Sequence, residues 1–303
     1  KEIEIAYVSA ANSMSNLAVE EKDNHGLFAG LPWFFQFWPR DALISLKSLS
    51  KISKSLAEKI LLNYLEMINN DGRLPNLIGQ HNSKSLESAD AVGWLFLRCS
   101  HLVDKISKDK ETINSIKKSM YWIKQSKLAS AKNIRDYIKR CNSTISKKEN
   151  EYYKLLYKVE NSLDRSISGL MKFHAKDSFD FNEAKETWMD TDFGGDGRRG
   201  IRVEVQALRL KMYKLGFELA QNHKYKVLEN TLKIKLKQKF WNGNILADGF
   251  DDWTIRPNVF IAAYAYPELL SQKEWEACFE NALKGLWLDW GGIATIDKNN
   301  KGE

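Results

Sequence analysis

The sequence predicts an all-α protein, and three observations support that prediction. Apolar residues recur at helical spacing along most of the 303 residues. Two Ser-x-x-Glu boxes, at 55–58 and 271–274, have the pattern that opens helices. Runs that alternate β-branched and polar residues are scarce. Helices packed in pairs are therefore the expected architecture.

The helical segments follow one another along the chain. The first stripe begins at Asp41, the second follows the box at Ser55, and two later stripes are expected to form a helix pair. The box at Ser271 is expected to cap one more helix. The stripe residues are Leu43, Leu46, Leu49 and Ile52; Ile60, Leu61, Tyr64, Leu65 and Ile68; Val205, Leu208, Met212, Leu215 and Leu219; and Leu228, Leu232 and Leu236.

An aromatic stretch, "GLFAGLPWFFQFWPRD" at 26–41, precedes the first helix. Pro32 and Pro39 each lack an amide hydrogen, which makes a central strand unfavourable. We therefore expect this stretch to be a loop.

Composition restricts the class of protein. The chain is 43% apolar, has no apolar run long enough to span a membrane, and shows no export signal. Its three cysteines are widely spaced, which argues against disulfides and a zinc site and favours a cytoplasmic protein. The net charge of +7 comes mostly from 105–158, where acidic residues are interleaved with the basic ones. Such mixed charge is typical of solvated helix surfaces, so neither nucleic acid nor membrane is the expected partner.

Four stretches between helices differ from ordinary surface turns. They lie at 26–41, 71–94, 186–208 and 246–258, and each concentrates Trp, Asp, Arg, Asn or Gly. In a toroid of helical hairpins the loops at one end converge on one pocket. Aromatic walls with a few placed polar groups suit a sugar ligand. The expected partner is therefore a carbohydrate.

Six ordered motifs resemble the amylo-α-1,6-glucosidase domain of glycogen debranching enzymes. They are "GLPWFFQFWPRD", "DGRLPN", "SADAVGW", "TWMD", "R-x-G-x-x-V-E-V-Q-A-L" from Arg198, and "IRPN". The resemblance covers roughly 5–105 and 180–297, with 106–180 as a family-variable helical region. It implies one catalytic domain over 1–303, an α/α six-hairpin toroid similar to glucoamylases. It also implies release of glucose from α-1,6 branch points of a glycogen-like α-glucan by an inverting mechanism.

The resemblance makes Asp190 the general acid that protonates the glycosidic oxygen. Independently, a carboxyl acid needs a raised pKa, and Trp188, Met189 and Phe193 are apolar neighbours that disfavour ionisation. The alternative is that Asp190 only caps a helix.

Further residues are implied to bind substrate. Arg40 and Asp41 resemble the pair that holds the non-reducing glucose, although Asp41 also begins a helix. Arg198 and Glu204 are expected to orient the acid or to contact sugar. The remaining candidates are either sugar contacts or structural residues: Trp33, Trp38, Asn76, Asp90, Trp188, Arg256 and Asn258.

The second carboxylate of an inverting enzyme is not evident. It acts as base on a water, roughly 6.5–9.5 Å from the acid, and in the family it follows a His-Gln-Gly-like segment. No such segment precedes Glu303, so the toroid is expected to lack its last hairpin. Either this sequence is a fragment or the protein has lost its base. A glucoamylase-like α-1,4-exo-hydrolase and a non-catalytic glucan-binding module are the alternative functions.

No cofactor or metal is expected. "GDGRRG" at 195–200 matches a dinucleotide fingerprint but lacks a preceding strand. "DTDFGGDG" from Asp190 resembles the start of a calcium loop, yet its twelfth position would be Ile201. The five histidines show no ligand spacing, and the sequence does not indicate an oligomeric state.

Overall fold

The computed structural model describes residues 2–21, 24–78, 88–125, 132–191 and 197–299. Within these ranges the chain is an all-α protein, as predicted. The helices are α1 (Glu2–Leu17), α2 (Pro39–Ile52), α3 (Lys54–Glu66), α4 (Ala91–Gln125), α5 (Lys132–Phe173), α6 (Val203–Ala220), α7 (His223–Phe240), α8 (Asn258–Ala265) and α9 (Gln272–Leu286). Phe193, His81 and part of the 195–200 motif lie outside the described residues.

The chain divides into two compact units. The main unit comprises Lys1–Arg98 and Ser162–Glu303, and the second unit comprises Cys99–Asn161. The toroid, its missing hairpin and a single catalytic domain over 1–303 stay predictions. Among the described residues, no helix combines the length and the apolar character that crossing a membrane requires.

The aromatic stretch is not a loop, and that expectation was wrong. It forms two antiparallel strands, β2 (Asn24–Gly30) and β3 (Phe34–Phe37), which continue a sheet that starts with β1 (Ala18–Glu21). Pro32 occupies the turn between β2 and β3, and Pro39 opens α2. Both prolines therefore lie where no ladder hydrogen bond is needed. Stacking of Phe28 on Phe37, at 5.4 Å between ring centroids, holds the hairpin together.

The two capping boxes have different outcomes. Ser271 and Glu274 form a full box before α9, as predicted. At the other box, α3 already begins at Lys54 and its N-cap is Ser53, so Ser55 lies inside the helix. The cap at Ser55 was therefore wrong, because the chain turns into the helix two residues earlier.

Most residues of the predicted stripes lie in the core of the main unit, but Ile52 is 42% exposed. On α6, four of the five stripe residues are buried, and the helix packs against α7 and α8. Helix α4 approaches α6 so closely that a Cβ at Gly93 would lie 2.5 Å from the Cβ of Leu208. Two minor strands, β4 (Ala175–Lys176) and β5 (Phe179–Asp180), lead from α5 toward α6. The second unit has its own small core of Ile113, Met120, Ile138 and Ile145.

Candidate active site

Four helices begin at the candidate site. Arg40 lies in the first turn of α2, Asp90 directly precedes α4, Glu204 lies in the first turn of α6, and Asn258 is the first residue of α8. Because a helix N-terminus carries partial positive charge, carboxylates are favoured at these positions. The site is thus built from helix starts and the stretches that lead into them.

Arg40 joins three of these stretches. Its Nε donates to Oδ1 of Asp90 at 2.7 Å, and its Nη2 donates to Oγ of Ser88 at 3.1 Å and to the Glu186 carbonyl at 3.0 Å. The residue is only 8% exposed. Its Nη1 lies 3.6 Å from Oδ2 of Asp190. Most of the guanidinium therefore serves the protein interior, while one nitrogen faces the predicted acid.

Asp90 fixes the segment that carries Asp190. Its side chain is 0% exposed, and its second oxygen accepts the backbone N–H of Trp188 at 3.1 Å. Charged hydrogen-bond partners make such contacts stronger than neutral ones. The backbone two residues before Asp190 is therefore tied to the start of α4.

Trp188 links this segment to the fourth stretch. Its indole N–H donates to Oδ1 of Asn258 at 2.7 Å, and the amide of Asn258 donates to Oδ1 of Asp248 at 2.6 Å. All four predicted stretches are thus joined by direct hydrogen bonds.

Asp248 is the hub of a buried ion network. Arg198 donates to both of its oxygens at 3.0 Å, and Arg202 approaches at 3.3 Å. Arg198 also donates to Glu204 at 2.7 Å, with side chains that are 2% and 1% exposed. Arg202 contacts Asp252 as well. Opposite charges are therefore closely matched within the network.

Burial affects the two partners of this network in different ways. Removal from water raises the pKa of Glu204, and the Arg198 guanidinium limits that rise. Burial alone would lower the pKa of Arg198, but Glu204 and Asp248 raise it above its usual value. Both side chains point at each other rather than at solvent.

The two exposed carboxylates of the site are Asp190 and Asp41. The side chain of Asp190 is 59% exposed, so Trp188 and Met189 do not give it the apolar enclosure expected from the sequence. Partial loss of hydration raises the pKa of Asp41; Arg40 opposes the rise, and the nearby charges of Asp190 and Asp90 add to it. Asp41 and Asp190 therefore lie close enough to influence each other.

The remaining predicted residues lie at different depths. Trp33 is 79% exposed in the turn between β2 and β3, whereas Trp38 is half-buried at the start of α2. Asn76 is half-buried in the stretch before α4. Arg256 has its Nε 3.7 Å from Asp248. Arg256 therefore belongs to the ion network around Asp248. Trp33 lies on the surface.

Several residues of the site were not among the sequence-based candidates. They are Ser88, Glu186, Arg202, Asp248 and Asp252. Asp248 lies in a stretch already singled out, "LADGFDDWTIRPN", but that stretch holds three aspartates and nothing in the pattern distinguishes them. In the described part of the chain, no group of three or more His, Cys, Asp or Glu side chains is arranged to hold a metal ion.

The starts of four helices thus gather carboxylates, arginines and tryptophans in an all-α fold, an arrangement compatible with the glycoside hydrolases of the glucoamylase-like superfamily, to which the following family match assigns the chain. A family model described as amylo-alpha-1,6-glucosidase matches residues 7–302, so the chain belongs to that family. The resemblance inferred from the six motifs is thereby confirmed. A comparison with individually curated proteins finds no significant match.

Proposed function

We propose that this chain releases glucose from α-1,6 branch points of a glycogen-like α-glucan, with Asp190 as the general acid. One observation carries the proposal: Asp190 is exposed to solvent, yet it lies 3.6 Å from a buried arginine that is itself fixed by Asp90. A reacting carboxyl must reach substrate while its backbone stays in place. Asp190 meets both requirements.

Asp41 is the proposed sugar-binding carboxylate. Asp41 is exposed next to Arg40, and neighbouring protein groups remove part of the water around its carboxylate, which raises its pKa. Sugar hydroxyls are good donors to carboxylates, and the indole of Trp188 offers an apolar face nearby. Trp33, at 79% exposure, would contact sugar units farther from the scissile bond.

Arg198 and Glu204 are proposed to position the site rather than to touch sugar. Both are buried, and their contacts lead through Asp248 and Asn258 to the indole of Trp188. Because Trp188 is two residues before Asp190, this chain of contacts supports the orientation of the acid.

A glucan-binding module without turnover is the second candidate, and the state of the inner carboxylates favours it. Glu204 is paired with Arg198 at 1% exposure, and Asp90 is paired with Arg40 at 0% exposure. Neither can present a free oxygen to an attacking water. The base that an inverting hydrolase needs is therefore not supplied by these two residues.

The test compares panose, which carries a terminal α-1,6 bond, with α-glucosyl fluoride. Asp190→Asn should lower glucose release from panose by about 100-fold to 10,000-fold, because the acid cannot deliver a proton. The fluoride leaves without protonation and should be affected much less. Asp136→Asn, an exposed aspartate of the second unit, is the matched control and should change neither rate.

Three outcomes decide between the candidates. An equal loss on both substrates would contradict the acid role of Asp190. Faster hydrolysis of maltotriose than of panose would replace α-1,6 with α-1,4 specificity. Binding of panose without turnover by the unaltered chain, measured by calorimetry, would establish the binding module instead.

A cytoplasmic location is also proposed, and it is supported by the free thiols of Cys99, Cys141 and Cys278.

A further inference from the structure

A cavity of about 580 Å³ lies in the main unit, and neither Asp190 nor Asp41 lines it. Its walls include Arg73, His174, Lys176, Phe181, Glu183 and Arg199. Glu186 separates it from the candidate active site, since its side chain lines the cavity while its carbonyl accepts from Arg40. The proposed hydrolysis uses none of the cavity's side chains.

Both carboxylates of the cavity are already engaged. Glu186 accepts from Nη1 of Arg73 at 2.6 Å and, through its other oxygen, from the backbone N–H of Glu183 at 2.6 Å. Glu183 accepts from Nε of Arg199 at 2.5 Å. The negative charges therefore neutralise two arginines, and little acceptor capacity is left for a ligand.

The side chains that remain available to a ligand are positively charged or neutral. Within the described residues, the ammonium of Lys176 lies 5.6 Å from the Phe181 ring and forms no ion pair. Arg199 approaches the same ring at 5.2 Å. His174 has its Nε2 buried without a hydrogen-bond partner. Burial and the charge of Arg73 lower the pKa of His174 below its usual value, which disfavours the charged imidazolium. Among the carboxylates that the structure describes, none pairs with Lys176, so its positive charge is available to a ligand.

The walls add an apolar surface to this charge. Phe173, which is 51% exposed, and Phe181 both line the cavity. Aromatic rings contact the C–H faces of sugars, whereas an anion alone would need no such wall. The volume lies within the range of roughly 300–1,000 Å³ that is usual for small-molecule sites.

We propose that this cavity binds a hexose monophosphate. The phosphate would be held by Lys176, with the sugar ring against the exposed face of Phe173. Phosphate and lysine form charge-assisted hydrogen bonds, which are among the stronger polar contacts in proteins. This site does not depend on the proposed hydrolase activity, so its failure would leave that proposal untouched.

The experiment is a calorimetric titration of the 303-residue chain with glucose 6-phosphate, glucose and inorganic phosphate. Glucose 6-phosphate should bind at least tenfold more tightly than either of the other two. Lys176→Gln should weaken its binding about tenfold, since one charge-assisted contact is lost. Lys239→Gln is the matched control, because Lys239 also lies over a phenylalanine ring, that of Phe250 at 5.7 Å; this variant should bind as the unaltered chain does.

Several results would overturn the proposal. Equal affinity for glucose would remove the role of the phosphate, and equal affinity for inorganic phosphate would remove the role of the aromatic wall. The same weakening in Lys176→Gln and Lys239→Gln would mean that the ligand binds elsewhere. No measurable binding of glucose 6-phosphate at millimolar concentration would reject the site altogether.

Discussion

The ion pairs of the candidate site and those of the second unit use the same chemistry in opposite surroundings. In the site, Arg198 and Glu204 have side chains that are 2% and 1% exposed. In the second unit, Lys117 and Glu149 are 44% and 36% exposed. Exposed pairs contribute little because water already solvates both partners, whereas a buried pair is costly to break. Burial rather than contact distance therefore distinguishes the ion pairs that organise a site.

The two units also differ in net charge. Lys and Arg outnumber Asp and Glu by eight in Cys99–Asn161, while the whole chain carries +7. The rest of the chain is therefore almost neutral. The second unit keeps its excess in water, where it costs little.

The largest effect is expected when the buried network loses its hub. Asp248→Asn removes the carboxylate charge that Arg198 and Arg202 share, and it leaves them partly uncompensated in the interior. The free energy of unfolding should fall by about 3–5 kcal/mol, the usual cost of breaking a buried pair. Urea unfolding followed by circular dichroism measures it. A loss below about 1 kcal/mol would mean that water enters the network.

An intermediate effect is expected at Glu274, which combines an exposed ion pair with a helix cap. Hydrogen bonds from Lys237 and from the backbone of Ser271 hold the pKa of Glu274 down to about 2. Because the folded-state pKa is depressed, the stabilisation is present above the ordinary value of 4.5 and is lost as pH falls from there toward 2. Glu274→Gln should therefore lower stability by about 0.5–1 kcal/mol at pH 7.

The pH dependence provides the control for this variant. Melting curves of both proteins should converge between pH 4.5 and 2. A constant difference over that range would assign the effect to packing rather than to charge.

The smallest effect is expected in the second unit. Glu149→Gln breaks the pair with Lys117, but both side chains stay hydrated. The free energy of unfolding should change by no more than about 0.5 kcal/mol, and 1 M salt should abolish the difference. A change as large as that of Asp248→Asn would end the distinction between the two regions.

Periodicity in the sequence predicted α2, α3, α6 and α7, because burial on one helix face leaves a local pattern; α1 and α8 were not predicted. The start of α3 was misplaced since Ser53 and Ser55 are both plausible caps, and only the backbone shows which one precedes the first turn. The β2–β3 hairpin was missed because its prolines fall in a turn and at a helix start. The presence of two prolines in the stretch does not show whether they lie within a strand or at its ends.

The site was predictable in outline and less so in depth. The motif stretches indicated which segments meet, and hydrogen bonds through Arg40, Trp188 and Asn258 join them. The exposure of Asp190 was not predictable, because its apolar sequence neighbours do not surround it in space. The importance of Asp248 depends on contacts with residues 10 and 50 positions away. Long-range partners of this kind leave no local signal.

A close backbone contact between Gly72 and the last part of α5 affects how the chain length can change. A Cβ at Gly72 would lie 2.3 Å from the Ser166 carbonyl oxygen, and a Cβ at Gly169 would lie 2.6 Å from the backbone of Asp71. This contact closes a long loop that includes the whole second unit. The entropy of loop closure grows only with the logarithm of length, about 0.6 kcal/mol for each doubling. Changes in the length of the segment between Cys99 and Asn161 therefore add little closure entropy, provided that both glycines remain and that the unit keeps its own small core.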